Sequence, residues 1–187
     1  MSPHRPPGRR QETDEEPRRF YGRRRGRPLR PQLARVGGAS LPRHRLEIPA
    51  DGRLDPATLF AAPTRALWLE IGFGGGEHLA AQAAAHPEVG LIGCEVFLNG
   101  VATALRAIEE GGLENVRLFP EDARDLLDAL PPASLERIFV LFPDPWPKAR
   151  HHRRRIVNAE SLARFADLLA DGGELRLATD DPDYLYS

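Results

Sequence analysis

The sequence predicts a doubly wound α/β fold built on a parallel sheet. From Ala66 onward, five short apolar runs alternate with segments of helical length. Strands that alternate with helices pair in parallel, because right-handed crossovers join one strand to the next. The chain has 187 residues, of which 41% are hydrophobic and 28% charged, and these values are typical of one globular domain. It contains no run of about 18 apolar residues, which excludes a membrane-spanning helix.

Each element is predicted from its own local pattern, in chain order. The strands are apolar runs, and they are predicted at Ala66–Ile71, Gly90–Cys94, Val116–Phe119, Leu135–Phe142 and Glu174–Ala178. The helices between them are predicted at about Glu77–Ala85, Asn99–Glu110, Ala123–Ala129 and Ala159–Leu169. Gly111-Gly112 is typical of a helix C-cap, and Gly172-Gly173 of a turn before the last strand. A further helix is expected to begin near Pro182.

The first strand runs into the glycine-rich turn Gly72–Gly76. In doubly wound sheets a ligand binds at the carboxyl ends of the strands, and glycines such as Gly72 and Gly74 let it approach the main chain. Two details argue against a dinucleotide. Glu70 would give nothing to a pyrophosphate but suits a cationic amino-acid group, and Glu77 occupies the place where the dinucleotide fingerprint requires glycine.

Acidic residues follow the next two strands. Glu95 lies 23 residues after Gly72, where an acid accepts hydrogen bonds from both hydroxyls of a ribose; the alternative is a surface acid at a strand end. Asp122 follows the third strand. It would either bind an adenine amino group or cap the next helix, and the sequence favours neither role.

The fourth strand ends in the segment Phe142–Lys148, with sequence FPDPWPK. Two prolines hold the Asp144 carboxylate at a defined place, and Trp146 can stack on a planar base. Lys148 is the only lysine in a chain with 25 arginines, which suggests a position that requires a compact ammonium group. Asp180 closes the fifth strand on the same rim. The alternative is a rigid proline loop before a solvated helix start.

Charge divides the chain into a basic leader and an acidic body. Residues 1–45 carry 13 Arg against four acidic residues, for a net charge of +9, whereas residues 46–187 carry −10. Such asymmetry is expected of a protein that meets a polyanion, although a solvated tail without a partner would show it too. The leader is rich in Pro, Gly and Arg and is predicted to be largely disordered.

A second basic run offers cations to RNA phosphates, and it consists of Arg150, His151, His152, Arg153, Arg154 and Arg155. Cys94 is the only cysteine. A single cysteine excludes a disulfide scaffold and a cysteine-rich zinc site, and it suits a reducing cytoplasm.

These motifs resemble the bacterial tRNA (guanine-N7-)-methyltransferase family, whose Rossmann-like class I enzymes use S-adenosylmethionine to methylate guanine-46 in the variable loop of tRNA. The resemblance runs from about Tyr21 to Tyr186, and its most specific part is the PDPW-x-K-x-R-H segment, Pro143–His151. It implies contacts to S-adenosylmethionine from Glu70, Glu95, Asp122 and Asp144. It further implies that Asp144 is the catalytic residue, that Lys148 and Asp180 bind the substrate, and that Arg150–Arg155 interact with RNA.

The resemblance also divides the chain into an RNA-contacting leader, residues 1–45, and a methyltransferase domain, residues 46–187. Family members continue through a last sheet hairpin and a Thr-x-x-Glu segment. We therefore expect the domain to be incomplete at its C-terminus, with the fifth strand as an exposed edge.

Two other functions remain open on the sequence alone. A methyltransferase acting on a small molecule or a protein would share the cofactor residues but would not need the arginine-rich leader. An RNA-binding protein with an inactive cofactor site would keep the basic segments. Transfer of labelled methyl groups into RNA would distinguish the first from a tRNA enzyme, and titration with S-adenosylmethionine would distinguish the second.

Overall fold

The computed structural model describes residues 24–26, 28 and 31–185. Its strands are β1 (Ala66–Ile71), β2 (Val89–Cys94), β3 (Val116–Phe119), β4 (Leu135–Leu141) and β5 (Leu169–Ala178). Its helices are α1 (Pro31–His44), α2 (Glu77–Ala85), α3 (Leu98–Gly111), α4 (Ala123–Ala129), α5 (Ala159–Leu168) and α6 (Pro182–Leu185). Two short 3₁₀ helices lie at Pro56–Thr58 and Ala149–Arg154.

The five strands form one sheet in the order β3-β2-β1-β4-β5. Every neighbouring pair is parallel, as the alternation of strands and helices predicts. The chain moves outward from β1 through β2 to β3 and then returns to the other side of β1 with β4. This reversal of strand order lies between β1 and β4, so their carboxyl ends form the crevice in which such folds bind ligands.

Helices cover both faces of the sheet. On one face α4 and α5 pack against strand residues such as Leu69 and Ile138. On the other face α2 and α3 pack against Trp68, Leu91 and Phe139. The predicted doubly wound fold is thereby confirmed. No helix among the described residues is long and apolar enough to cross a membrane.

Strand β5 begins earlier than predicted. It starts at Leu169 instead of Glu174, and its pairing with β4 shifts register between Leu135 and Arg137. Gly172 has a φ of 78° there, a conformation that glycine adopts at little cost. The predicted Gly172-Gly173 turn is therefore an irregularity inside one strand, because the chain continues to pair with β4 on both sides of it.

Helix α1 lies inside the leader that was predicted to be largely disordered through residue 45. Its last residue, His44, is fully buried, with its ring nitrogens 3.2 Å from the Val116 carbonyl oxygen and 3.2 Å from Glu109 Oε1. The sequence does not reveal this helix, because its 14 residues include two glycines and an internal proline. Packing against the body, rather than intrinsic propensity, stabilises such a segment. Tyr21 and Arg23 lie outside the described residues.

Candidate active site

A cavity of about 440 Å³ opens at the carboxyl ends of β1, β2, β3 and β4. Its volume lies in the range of about 300–1,000 Å³ that small-molecule and cofactor sites occupy. Five of the predicted cofactor residues line it together, namely Gly72, Gly74, Glu95, Asp122 and Asp144. Residues that follow four different strands therefore meet at one site, as expected for the carboxyl edge of a parallel sheet.

The glycine-rich turn presents its main chain to this cavity. Gly72 and Gly74 have φ values of 75° and 56°, and a Cβ at either position would meet no atom within 4 Å. The same turn lies directly against α3, since a Cβ added at Gly100 would overlap the Gly74 carbonyl oxygen. A ligand can consequently approach the backbone of the turn from the cavity side. On its other side, the turn packs against α3.

Glu95 is held in place by two main-chain amides. Its Oε2 accepts a hydrogen bond from the Gly74 N–H at 3.0 Å, and its Oε1 accepts one from the Phe97 N–H at 2.8 Å. Each carboxylate oxygen has a second lone pair and can accept another hydrogen bond. An oriented carboxylate of this kind is suited to the two hydroxyls of a ribose, so the predicted role remains open to it.

Asp122 caps α4. Its Oδ1 accepts from the Arg124 N–H at 3.0 Å, and its Oδ2 accepts from Arg124 Nη1 at 3.1 Å. Of the two roles that the sequence left open, the structure thus shows the capping role. Because Asp122 also lines the cavity, contact with an adenine amino group remains a prediction.

Glu70 does not line the cavity. It is 4% exposed, and its Oε2 lies 2.8 Å from His78 Nδ1 on α2. Burial raises the pKa of the Glu70 carboxyl, and the hydrogen bond and charge of His78 oppose this shift. The structure therefore pairs the predicted cofactor residue with His78, which was not predicted to have a role. The only sequence signal for this pair was the position of His78 in the first turn of α2.

The loop after β4 is conformationally unusual at both ends. Phe142 and Trp146 have φ values of 52° and 44°, which residues other than glycine rarely adopt. Backbone strain of this kind is concentrated at functional sites. Between these two residues Asp144 is exposed and lines the cavity, and the Phe142 N–H donates to the Ala178 carbonyl at 2.8 Å. This hydrogen bond ties the Asp144 loop to the end of β5.

The basic run forms the second 3₁₀ helix, with the exposed Lys148 as its N-cap residue. Arg154 lies over the Trp146 ring at 5.0 Å, and the His151 ring meets Trp146 edge-on at 6.0 Å. Partial desolvation and then the surrounding cations, Arg154 first among them, lower the pKa of His151. Trp146 and Arg154 both line the cavity, so the basic run begins at its rim.

Arg155 differs from the other residues of the run that is predicted to contact RNA, because it is buried. It is 2% exposed, and its Nε donates to the Pro145 carbonyl at 2.8 Å and its Nη1 to the Asp183 carbonyl at 3.3 Å. The guanidinium lies 4.6 Å from the centre of the Tyr184 ring. Arg155 follows the 3₁₀ helix and turns inward, where it links the Asp144 loop to α6.

Asp180 follows β5 and is exposed, but neither it nor Lys148 lines the cavity. The next residue, Asp181, caps α6 by accepting from the Asp183 and Tyr184 amides at 2.9 and 3.2 Å. Tyr184 in turn accepts from the Val157 N–H at 3.2 Å. The capping role of Asp181 and the hydrogen bond of Tyr184 were not predicted from the sequence. The only local signal was an acidic residue before Pro182, which is typical of a helix start.

Comparison with known proteins gives a consistent result. A family model described as "Putative methyltransferase" matches residues 64–187. The chain is similar to the tRNA (guanine-N(7)-)-methyltransferase of Rhodospirillum rubrum, with 59% identity over 93% of this chain and 69% of the relative. It is also similar to the protein of that name from Paramagnetospirillum magneticum, with 53% identity over 89% of this chain and 71% of the relative.

Among solved structures, the chain is similar to an rRNA methylase from Streptococcus thermophilus. The TM-score is 0.50 at 16% identity, and the match covers 66% of this chain and 68% of the other. A likeness at this identity supports the fold alone.

Proposed function

This chain belongs to the tRNA (guanine-N(7)-)-methyltransferase family, and from that premise we propose that it transfers the methyl group of S-adenosylmethionine to N7 of a guanine in tRNA. We further propose that the target is guanine-46 in the variable loop and that the protein acts in the cytoplasm. The observation that carries the proposal is one cavity lined by the glycine turn, Glu95 and Asp144, with a basic run at its rim.

The residues of the cavity fit S-adenosylmethionine. Glu95 offers two oriented carboxylate oxygens to the ribose hydroxyls, and Asp122 offers a carboxylate to the adenine amino group. Gly72 and Gly74 leave room for the amino-acid part to lie against the main chain. Glu70 would act on that part only indirectly, through the turn that follows β1, because its own carboxylate is turned toward His78.

The reaction makes modest demands on the protein. Guanine N7 carries a free lone pair, so no proton has to leave before N7 attacks. The bound S-adenosylmethionine supplies an electrophilic methyl group on a sulfonium. This chain therefore contributes mainly by aligning N7 with that methyl group, which is catalysis by positioning.

Asp144 would supply the electrostatic part of catalysis. The purine ring becomes cationic as N7 is methylated, and a carboxylate at a fixed place stabilises the charge that develops. Asp144 suits this role because it lines the cavity and two prolines and two left-handed residues fix its loop. Arg155 would position that loop through its hydrogen bond to the Pro145 carbonyl.

The substrate side of the site would lie along the ends of β4 and β5. Trp146 can stack on a base. Lys148, in the segment after β4, and Asp180, shortly after β5, are both exposed. Of the basic run, Arg150 and Arg153 are exposed and Arg154 lies at the cavity rim. We assign the RNA phosphates to these arginines, together with His151 and His152, and leave Arg155 out.

The test is transfer of labelled methyl from S-adenosylmethionine to unmodified tRNA. We expect incorporation into a tRNA with guanine at position 46 and none into a matched tRNA with adenine there. Asp144→Asn should reduce turnover by at least about a hundredfold, as removal of one charge-stabilising group does. Its affinity for S-adenosylhomocysteine should change much less.

Three outcomes would contradict the proposal in different ways. Methylation of the adenine-46 tRNA would overturn the target position. Methylation of a protein or a small molecule, but not of tRNA, would favour the other class of methyltransferase. Binding of tRNA without binding of S-adenosylhomocysteine would indicate an RNA-binding protein with an inactive cofactor site.

A further inference from the structure

The described part of the leader, Arg24–Gly26, lies against the first turn of α3. The Arg24 carbonyl accepts a hydrogen bond from the Leu98 N–H at 2.9 Å. Two residues later, the Gly26 N–H donates to Asn99 Oδ1 at 3.0 Å. We call residues 24–26 the docked segment. It is distant in sequence from α3, so these contacts give it a defined place on the body.

The docked segment completes the cap of α3. The first amides of a helix have no partner within the helix, and the N-cap residue of α3, Phe97, makes no side-chain capping bond. Glu95 accepts from the Phe97 N–H, and the Arg24 carbonyl accepts from the next amide, that of Leu98. The cap is therefore shared between the predicted ribose ligand and the leader.

Gly26 supports one wall of the cavity. A Cβ at Gly26 would lie 2.9 Å from Cζ of Phe97, so the backbone of the docked segment is in contact with this ring. Phe97 lines the cavity next to Glu95. Gly26 is therefore in contact with a side chain of the cavity wall.

Arg24 also holds a second part of the wall. Its Nη2 lies 2.6 Å from Glu121 Oε2, while Arg45 Nη2 lies 3.3 Å from the other oxygen, Oε1. Glu121 lines the cavity beside Asp122. Its carbonyl accepts a hydrogen bond from the thiol of Cys94 at 3.4 Å. Two arginines on either side of α1 in sequence thus clamp one cavity residue.

We propose that the docked segment Arg24–Gly26 positions the cofactor site by holding Phe97, Glu121 and the start of α3. This inference rests on the proposed function, because it names the cofactor as the ligand of that cavity. It gives part of the basic leader a role that does not depend on RNA. The docked segment contains positioning residues and not catalytic ones, since it acts through Phe97, Glu95 and Glu121.

The first experiment compares two neighbouring arginines in the absence of RNA. Arg24→Ala and Arg25→Ala remove the same charge from two exposed residues. Arg24 pairs with Glu121, whereas the Arg25 side chain has no hydrogen bond or ion pair with the described residues. By titration calorimetry with S-adenosylhomocysteine, we expect Arg24→Ala to raise the dissociation constant about two- to fivefold, the upper part of the range for a partly exposed ion pair. Arg25→Ala should leave it unchanged. Arg24→Lys keeps the charge and should restore most of the affinity.

The second experiment compares two glycines. Gly26→Ala adds a methyl group against the Phe97 ring, whereas Gly38→Ala in α1 adds one where no atom lies within 4 Å. We expect Gly26→Ala to raise the dissociation constant for S-adenosylhomocysteine by a factor of about three or more. We expect Gly38→Ala to leave it as in the parent.

Thermal unfolding of the ligand-free proteins separates positioning from stability. Equal midpoints for Arg24→Ala, Arg25→Ala and the parent, together with the difference in affinity, would support the inference. Equal affinities of the parent, Arg24→Ala and Gly26→Ala would overturn it, even if their midpoints differ. A parent protein that does not bind S-adenosylhomocysteine would instead contradict the proposed function.

Discussion

Arg155 and Arg153 lie two positions apart in one basic run, but their surroundings differ completely. Arg153 is exposed, whereas Arg155 is buried and donates to two main-chain carbonyls. Hydrogen bonds from a charged group are worth about 1.5–3 kcal/mol each, and Arg155→Ala removes both of these. We expect Arg155→Ala to lower the free energy of unfolding by about 2 kcal/mol or more, measured by urea denaturation.

Arg153→Ala provides the matched control. It should leave the free energy of unfolding within about 0.5 kcal/mol of the parent's, and it should weaken tRNA binding. Equal stability of the two variants would show that Arg155 is not a structural link between the Asp144 loop and α6.

His151 belongs to the basic run that we assign to RNA phosphates, so RNA binding should change its protonation. Its Nε2 accepts a hydrogen bond from Arg150 Nε at 3.2 Å, and partial desolvation and the nearby cations hold its pKa below the ordinary 6.5. An RNA phosphate would favour the protonated ring and raise that pKa. The complex would then bind more protons than free protein, so tRNA affinity should increase as the pH falls through about 6.5.

Calorimetry in buffers of different ionisation enthalpy measures this proton uptake directly. The parent should take up protons on binding tRNA near pH 6.5, and His151→Gln should take up fewer. If both proteins take up the same number, another group titrates and His151 does not face the RNA.

At the scale of the elements, α3 has to approach the glycine turn closely. Gly100 permits this approach, because a Cβ there would overlap the Gly74 carbonyl oxygen, which is main chain and cannot move alone. Gly100→Ala should therefore lower the free energy of unfolding by about 1–3 kcal/mol and weaken S-adenosylhomocysteine binding.

Gly38→Ala in α1 is the control, because it makes the same change in a helix where the added methyl group is free of contacts. It should increase the free energy of unfolding by up to about 1 kcal/mol, the difference in helix propensity. A stabilising effect of Gly100→Ala would contradict the close approach of α3 to the turn.

Most elements of the body could be predicted because local signals mark them. Strands β1 and β3 and helices α2 and α4 have the predicted bounds, since apolar runs and glycine or aspartate boundaries agree there. Helix α1 could not be predicted, because its stability comes from contacts with α3 and β3 that the sequence does not display.

The part of the candidate site that is formed by residues directly after strands could be predicted from the sequence. Glu95, Asp122 and Asp144 follow strands, and they meet at the cavity. Glu70 lies inside β1, where successive side chains point to opposite faces of the sheet. Leu69 and Ile71 share one core, while Trp68 belongs to the other, so Glu70 points with Trp68 toward the face of α2. This alternation could have been read from the sequence, whereas the inward turn of Arg155 could not.

At the scale of the whole molecule, the charge of the leader opposes that of the body. Residues 1–45 carry +9 and residues 46–187 carry −10, so binding of a polyanion must depend on local basic surfaces. Replacing Arg23 and Arg25 with Gln should weaken tRNA binding and reduce the slope of log K against log salt by about 0.7–0.9 for each RNA phosphate that is no longer neutralised.

Arg24 is left intact in this double variant, so affinity for S-adenosylhomocysteine should equal the parent's. A salt dependence identical to the parent's would mean that these two arginines do not meet phosphates. Filter binding of tRNA over a range of salt concentrations gives the slope.

The exposed Lys148 beside the Asp144 loop has a practical consequence, because it carries the only side-chain amine of the chain. An amine-selective acylating reagent therefore has Lys148 as its side-chain target. Mass spectrometry of the acylated peptide then becomes a footprint of the substrate side of the site. We expect tRNA to slow acylation of Lys148 and S-adenosylhomocysteine to leave it unchanged, since Lys148 lies outside the cavity. Equal protection by both ligands would place this amine at the cofactor instead.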